Sequence, residues 1–317
     1  MGTKVLVTGG AGFIGSHLVD SLLATGENEI LVIDNFDDYY DRKVKESNIE
    51  QHVQSPQYTL IEADIRDRDR VERIFHDWRP DVVVHLAAKA GVRPSLEMPS
   101  TYVDVNLAGT VNLLDASVRY SVSKFVFASS SSVYGLNDQV PFSESDPTML
   151  IASPYGATKA AGEALCRSYS HCFKLPIVAL RFFTVFGPRQ RPDLAIHLFA
   201  DKMAKGEPIT LFGDGTTSRD YTYVGDIVAG IRQAMALATP GYEVFNLGND
   251  QPTSLLDLVR LLEQAMNTKA TIDWKPLQIG DVPRTWANVD KARHMLGYSP
   301  ATSLDTGIRH FVAWLKE

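Results

Sequence analysis

Cysteine is almost missing from this chain of 317 residues. The two present, Cys166 and Cys172, fall six apart in a stretch that reads as helix, which sets their Cα atoms about 9 Å apart along the axis and excludes a disulfide between them. They read as two structural thiols of a reducing compartment, the cytoplasm. No Cys/His group has zinc-ligand spacing, and none of the eight histidines stands in a helical His-x-x-x-His pair, so no metal centre is expected. No apolar run approaches the ~20 residues that cross a bilayer. The opening MGTKVLVTGG enters a strand at once, without the grammar of a signal or transit peptide. Positive charge is in deficit, with a formal net charge of −7, which argues against broad binding to nucleic-acid backbones. Internal repeats, low-complexity tracts and flexible linkers are also missing. What remains is an ordinary globular balance, 44% hydrophobic and 22% charged, long enough for one large α/β domain with a smaller lobe.

The first half alternates short β-branched runs with helical patterns, the mark of βαβ units around a parallel sheet. Strands are expected at Lys4–Thr8, Glu29–Ile33, Tyr58–Glu62, Val82–Leu86, Lys124–Ser129 and Ile177–Arg181, and VVVHL and KFVFA have the continuous apolar character of strands buried on both faces. Helices are expected between them at Ile14–Thr25, Asp67–Asp77 and Val105–Tyr120. After Arg181 glycines and prolines break the rhythm. A helix at Asp226–Leu237 and a strand at Glu243–Leu247 then return to the main sheet, and a helix at Ser254–Met266 opens a polar C-terminal lobe. The fold class is α/β: a Rossmann-like doubly wound parallel sheet with a smaller, mixed α/β C-terminal substrate lobe. The lobes interleave, with residues 1–183 and 222–250 binding the nucleotide and residues 184–221 and 251–317 forming the other lobe, a cleft between them.

KVLVTGGAGFIGSHLV reads as strand, glycine turn and helix. Gly9, Gly12 and Gly15 fall three apart, and Gly10-x-Gly12-x-x-Gly15 also fits the dinucleotide fingerprint. Glycine supplies positive φ and close backbone approach, so a pyrophosphate can rest on the helix N–H groups. Asp34 ends the next strand nineteen positions after Gly15, where a carboxylate can accept from the adenosine ribose hydroxyls and repel a 2′-phosphate. No arginine follows it directly, which favours NAD over NADP. The cofactor contour is expected to run through Gly9, Gly12, Phe13, Ile14 and Gly15, then Asn35, Asp64 and Ile65, then Leu86, Ala87, Ala88 and Lys89. Asp64 reads either as a contact to the adenine edge or as a cap for the helix that begins near Asp67.

Tyr155 and Lys159, in SPYGATKAAGE, lie four apart and so on one helix face, with Cβ atoms about 6 Å apart. A free tyrosine ionises near pH 10, so about one molecule in a thousand is a base at neutral pH, and a fixed cation alongside favours the phenolate. Ser129–Ser132 end the fifth strand in KFVFASSSSVYG, where open α/β sheets bind their ligands, although turn-forming serine is the plainer role for one or two of them. No Gly-x-Ser-x-Gly elbow is present. His85, in a buried strand, reads as a satisfied core histidine. Tyr221 and Tyr223 read as packing residues with hydroxyls paired at the cleft.

TGGAGFIG, the serine turn and YGATK together resemble the extended short-chain dehydrogenase/reductases that work on nucleotide sugars, over essentially the whole chain. TVFGPRQRPDLAIHLF, LFGDGTTSRDYTYVGDI and QIGDVPRTWANVDKA are similar to bacterial UDP-glucuronate 4-epimerases. The resemblance implies NAD as cofactor, UDP-glucuronate and UDP-galacturonate as partners, inversion at C4 through a 4-keto sugar, and a homodimer formed through the Tyr155 helix and the helix at Val105–Tyr120. It makes Ser130, Tyr155 and Lys159 catalytic, with Ser131 and Ser132 beside the substrate. It gives Asn106 a role in supporting the site's backbone at the cofactor, Phe212 the uracil ring, Arg219 the diphosphate, and Gln278 and Asp281 the uridine. Thr184, Val185 and Arg191 take the sugar-carboxylate end, and Arg93 lies near the sugar, followed by Pro94 where an aromatic residue is expected. Either Arg219 or Arg191 could instead be a solvated cation, and Phe212 plain core. Competing readings are a UDP-glucuronate decarboxylase or a 4,6-dehydratase, both of which need an acid near the serine turn. A neutral-sugar UDP-glucose 4-epimerase and, outside catalysis, an NAD-sensing protein complete the field.

Overall fold

The computed structural model describes residues 2–277 and 280–317. Its strands are β1 (Thr3–Thr8), β2 (Asn28–Asp34), β3 (Tyr58–Glu62), β4 (Val82–His85), β5 (Lys124–Ser130), β6 (Ile177–Phe182), β7 (Thr184–Phe186), β8 (Ile209–Phe212), β9 (Ser218–Tyr223), β10 (Tyr242–Leu247), β11 (Pro252–Ser254) and β12 (Ile272–Lys275). Seven of them form one parallel sheet in the order β10-β6-β5-β4-β1-β2-β3. The expected strands all fall within this sheet to within a residue or two, including the return of β10 beside β6. Both faces are covered, so Val5 and Val7 enter one core while Leu6 between them enters the other. The chain reverses its direction of travel across the sheet between β1 and β4, which opens a crevice at their carboxyl ends.

The helices are α1 (Phe13–Leu23), α2 (Arg42–Ile49), α3 (Arg68–Trp78), α4 (Val92–Glu97), α5 (Pro99–Val103), α6 (Gly109–Arg119), α7 (Pro154–Phe173), α8 (Ala195–Ala204), α9 (Val224–Ala236), α10 (Leu255–Met266), α11 (Asp290–Leu296) and α12 (Leu304–Leu315). α7 starts sharply because Ser153 caps it, accepting from the Gly156 N–H at 3.1 Å, and Pro154 has no N–H to satisfy. One expected helix is not continuous. Val105–Tyr120 divides into a π segment at Asp104–Ala108 and then α6. The wider turn carries Asn106, whose side chain bonds the Lys89 backbone and the Thr158 hydroxyl, and such a local widening leaves no trace in a 3.6-residue apolar pattern.

The smaller lobe is mixed, as expected. β7 pairs parallel and β11 antiparallel with β9, and β8 pairs parallel with β12. α8, α10 and α12 close a third core over these strands. The segment from Ala287 to Tyr298, expected in this lobe, instead packs into the first core of the main sheet, with α11 against β10 and α9. The two thiols also differ from expectation. Cys166 is buried and Cys172 exposed, because six residues at about 100° each turn the helix well past its buried face.

His85, at the end of β4, is 2% exposed and sits between the Thr8 hydroxyl at 2.8 Å and the Thr110 hydroxyl at 2.9 Å. Burial, aided by the nearby Lys159 charge, pushes its pKa down to about 3. The unfolded chain therefore takes up this proton first as pH falls below about 6.5, and stability drops from there towards the folded value by up to about 1.4 kcal/mol per pH unit. Urea denaturation at pH 7 and pH 5 should show wild type losing about 2 kcal/mol more than His85→Asn over that interval. Equal losses would mean the histidine is not buried neutral.

Candidate active site

The crevice at the carboxyl ends of the strands is a cleft of about 520 Å³ that runs from the glycine turn to the smaller lobe. Gly9 adopts φ +73°, and a Cβ on Gly15 would stand 2.1 Å from the Gly9 carbonyl oxygen, so neither position tolerates a side chain. α1 begins at Phe13 without a side-chain cap, and Gly12, Phe13 and Ile14 line the cleft, so the first N–H groups of the helix belong to its wall. A Cβ on Gly12 would project into the same cradle, 3.3 Å from the Gly9 oxygen and 4.0 Å from the Tyr40 hydroxyl. These residues fit a dinucleotide pyrophosphate. Gly10, by contrast, packs on Val32, where a Cβ would meet a methyl at 2.6 Å.

Asp34 is buried at the end of β2 and accepts from the Ala11 N–H at 3.1 Å and the Phe36 N–H at 2.9 Å. Burial raises its pKa, and those two backbone donors pull it back. It also lines the cleft, so one carboxylate both ties the glycine turn to the next loop and presents an edge to a ligand. Asn35 donates to Asp64 at 3.1 Å, and Arg66 forks the same carboxylate at 2.8 and 3.0 Å, which holds Asp64 below its ordinary pKa. The cap of α3 is Asp67, not Asp64. Ile65, Leu86, Ala87, Ala88 and Lys89 complete this wall. Asn106 does not line the cleft. Its oxygen accepts from the Lys89 N–H at 2.8 Å and its amide donates to the Lys89 carbonyl and the Thr158 hydroxyl, both at 3.0 Å. It is a positioning residue for the Lys89 backbone rather than a cofactor contact.

Ser130, Ser131 and Ser132 meet Tyr155 and Lys159 at the middle of the cleft. The Ser130 hydroxyl is 3.2 Å from both the Ser132 hydroxyl and the Ser132 N–H. Ser129 turns the other way and donates to Glu163 at 2.5 Å. The Tyr155 ring meets Tyr102 edge-on at 6.2 Å, and the Lys159 ammonium lies 6.0 Å from the Tyr155 ring centre. Lys159 donates to the Ala128 carbonyl at 2.7 Å, and burial pushes its pKa down to about 8. The expectation that lysine draws the tyrosine pKa down is not matched by the groups that act on Tyr155. Burial raises Tyr155, and the groups that oppose the rise are the Ser130 hydroxyl and the Arg191 guanidinium. Lys159 spends its nearest hydrogen bond on the backbone of β5 instead.

At the far end Thr184, Val185, Arg191, Arg219 and Asp281 line the cleft. Arg219 is largely buried, donates to the Ser218 carbonyl at 2.9 Å, and has its pKa lowered by desolvation, so it is not a solvated surface cation. Arg93 is not in the cleft wall. It stacks on the Phe212 ring at 4.6 Å and pairs with Asp281 at 3.1 Å, leaving Phe212 half-buried rather than core. Gln278 lies outside the described residues. Tyr221 and Tyr223 pack around the Phe186 ring in the third core, away from the cleft. Sequence reasoning missed Tyr39, Tyr40 and Lys45, which line the cleft from the loop and helix after Asp34. The signal was available: NFDDYYD directly follows a strand end, where ligand-binding loops of open sheets lie.

Residues 6–311 match the family described as GDP-mannose 4,6-dehydratase. The chain is 43% identical to UDP-glucuronate 4-epimerase 4 of Arabidopsis thaliana, an alignment that spans 99% of this chain and 75% of that protein. It superposes on the crystal structure of UDP-glucuronic acid 4-epimerase from Bacillus cereus in complex with UDP-glucuronic acid and NAD with a TM-score of 0.94, at 39% identity and 99% coverage of each. The Thermotoga maritima UDP-glucose 4-epimerase structure with UDP-glucose is similar with a TM-score of 0.89, at 34% identity and 99% coverage of each.

Proposed function

This chain belongs to the GDP-mannose 4,6-dehydratase family, and from that premise we propose that it works as an NAD-dependent UDP-glucuronate 4-epimerase, inverting C4 to give UDP-galacturonate. The carrying observation is one cleft that joins the glycine cradle, the Ser130/Tyr155/Lys159 cluster and Arg191. NAD, held by the Gly9–Gly15 turn and Asp34, would supply a reversible hydride acceptor for C4, so no added oxidant would be consumed. Tyr155 takes the proton of the sugar 4-hydroxyl and gives it back after the 4-keto sugar has turned over. Ser130 hydrogen-bonds that oxygen, and Lys159 supplies positive charge beneath the ring. The 4-keto sugar is a β-keto acid that loses CO₂ when its C5–C6 bond stands perpendicular to the carbonyl plane. Arg191 and Thr184, holding the carboxylate, oppose that geometry.

The rival reactions lack their acid. The nearest carboxylate to the serine turn is Glu163, which sits behind Ser129, is forked by Arg181 at 2.7 and 2.9 Å, and does not line the cleft. That supports epimerisation over decarboxylation or dehydration. Arg191 supports an acid sugar over a neutral one, and the complete cluster supports catalysis over NAD sensing. The working chain is read as a homodimer of the cytoplasm. The first part rests on the family resemblance, and two free thiols support the second. The division into residues 1–183 with 222–250 and residues 184–221 with 251–317 serves the same chemistry, with the segment from Ala287 to Tyr298 shared in packing.

Purified protein given UDP-glucuronate, UDP-glucose or UDP-xylose separately, without added NAD, should convert the first to UDP-galacturonate. Turnover of the neutral sugar alone, or accumulation of a pentose nucleotide, would overturn this reading.

A further inference from the structure

We propose that Asp193 and Tyr39 set the preference for an acid sugar by fixing the Arg191 guanidinium, an inference that rests on the function just given. Asp193 accepts from Arg191 Nε at 3.0 Å and from Nη2 at 2.8 Å. This fork uses two of the five N–H donors of the guanidinium and leaves three, two of them on Nη1, for another acceptor. Arg191 lines the cleft while Asp193 does not, and on this inference the remaining donors serve the cleft side.

The support comes from both lobes. The intervening Pro192 restricts the chain between the two partners, and the Leu194 N–H closes a turn on the Arg191 carbonyl at 3.2 Å. From the cofactor side, the Tyr39 hydroxyl donates to Asp193 at 3.2 Å and its ring lies 5.4 Å from the Arg191 Cζ. Tyr39 is itself held, because Asp37 accepts from its N–H at 3.1 Å and from the Lys89 ammonium at 2.8 Å. An unheld arginine would lose its rotamer freedom on meeting a carboxylate, whereas here that loss occurs on folding. The gain falls on a ligand that carries an anion at C6 and scarcely on one that carries a hydroxyl. Asp193 and Tyr39 are thus positioning residues. If Asp193 were instead a competitor for Arg191, its removal would tighten binding of the acid, so the sign decides between the two.

The test measures Kd by calorimetry and kcat on NAD-loaded wild type, Asp193→Ala, Asp193→Asn and Tyr39→Phe, with UDP-glucuronate and UDP-glucose. Loss of the charged partner should weaken UDP-glucuronate about tenfold, Tyr39→Phe about threefold, and UDP-glucose less than about twofold in each, in keeping with charge-assisted contacts. Tyr39→Phe keeps the ring and covers the case in which an Asp193 variant folds badly. Unchanged or tighter binding of the acid, or equal weakening of both sugars, overturns the inference alone. A wild-type protein with no preference for the acid overturns the proposed function and this inference with it.

Discussion

Tyr155→Phe should lower the rate of epimerisation by about a thousandfold while the protein keeps its fold and its NAD, since a positioned proton acceptor contributes about 10² to 10⁴. The ring is retained in this variant, so the edge-on contact with Tyr102 at 6.2 Å survives, and only the hydroxyl is lost. The effect is large because the cluster holds no substitute for that hydroxyl. Burial raises the phenol above its ordinary pKa, and the Ser130 hydroxyl and the Arg191 guanidinium pull it back. No other group in the serine cluster is a comparable acceptor: Ser130 is a weak base, and Lys159 already donates to the Ala128 carbonyl. Steady-state rates on UDP-glucuronate, with bound cofactor followed by absorbance, check this. A variant within tenfold of wild type would remove Tyr155 from the chemistry.

Removing either member of the Glu163–Arg181 pair should cost about 3–5 kcal/mol of stability, because the survivor is left as a buried charge without a partner. The two side chains are 8% and 4% exposed. Arg181 also donates to the Tyr134 hydroxyl at 2.9 Å, and that hydroxyl donates to Asn246 at 2.6 Å, so β5, β6, β10 and α7 share one network. Glu163→Ala and Arg181→Met should each lower the urea midpoint by that loss divided by the m-value. Glu163→Leu combined with Arg181→Met should recover most of the loss, since apolar replacement of a whole buried pair is often neutral. A single variant that costs less than about 1 kcal/mol would show that water reaches the pair.

The main sheet was legible because strands buried on both faces have no polar alternation to blur them, and VVVH and KFVFA read directly as β4 and β5. The glycine turn and the Tyr155–Lys159 spacing were legible because their geometry is local. What could not be read comes from contacts between distant segments. Tyr39 and Asp193 stand 154 positions apart, so nothing in either neighbourhood announces the other. The π segment that carries Asn106 likewise meets its partners, the Lys89 backbone and the Thr158 hydroxyl, only in the packed structure. Lys159 shows the limit most clearly. Spacing put the ammonium on the tyrosine's face of α7, but its reach also includes the carbonyl of β5, which only the packed structure brings near.

β10 enters the large sheet only after the chain has left β6, built β7 to β9 and α9, and come back. A gene truncated after residue 183 would therefore yield a product whose β6 presents a bare row of amides and carbonyls, an invitation to clump rather than a working half. Excision, shuffling with relatives or fusion at that seam must carry both parts together.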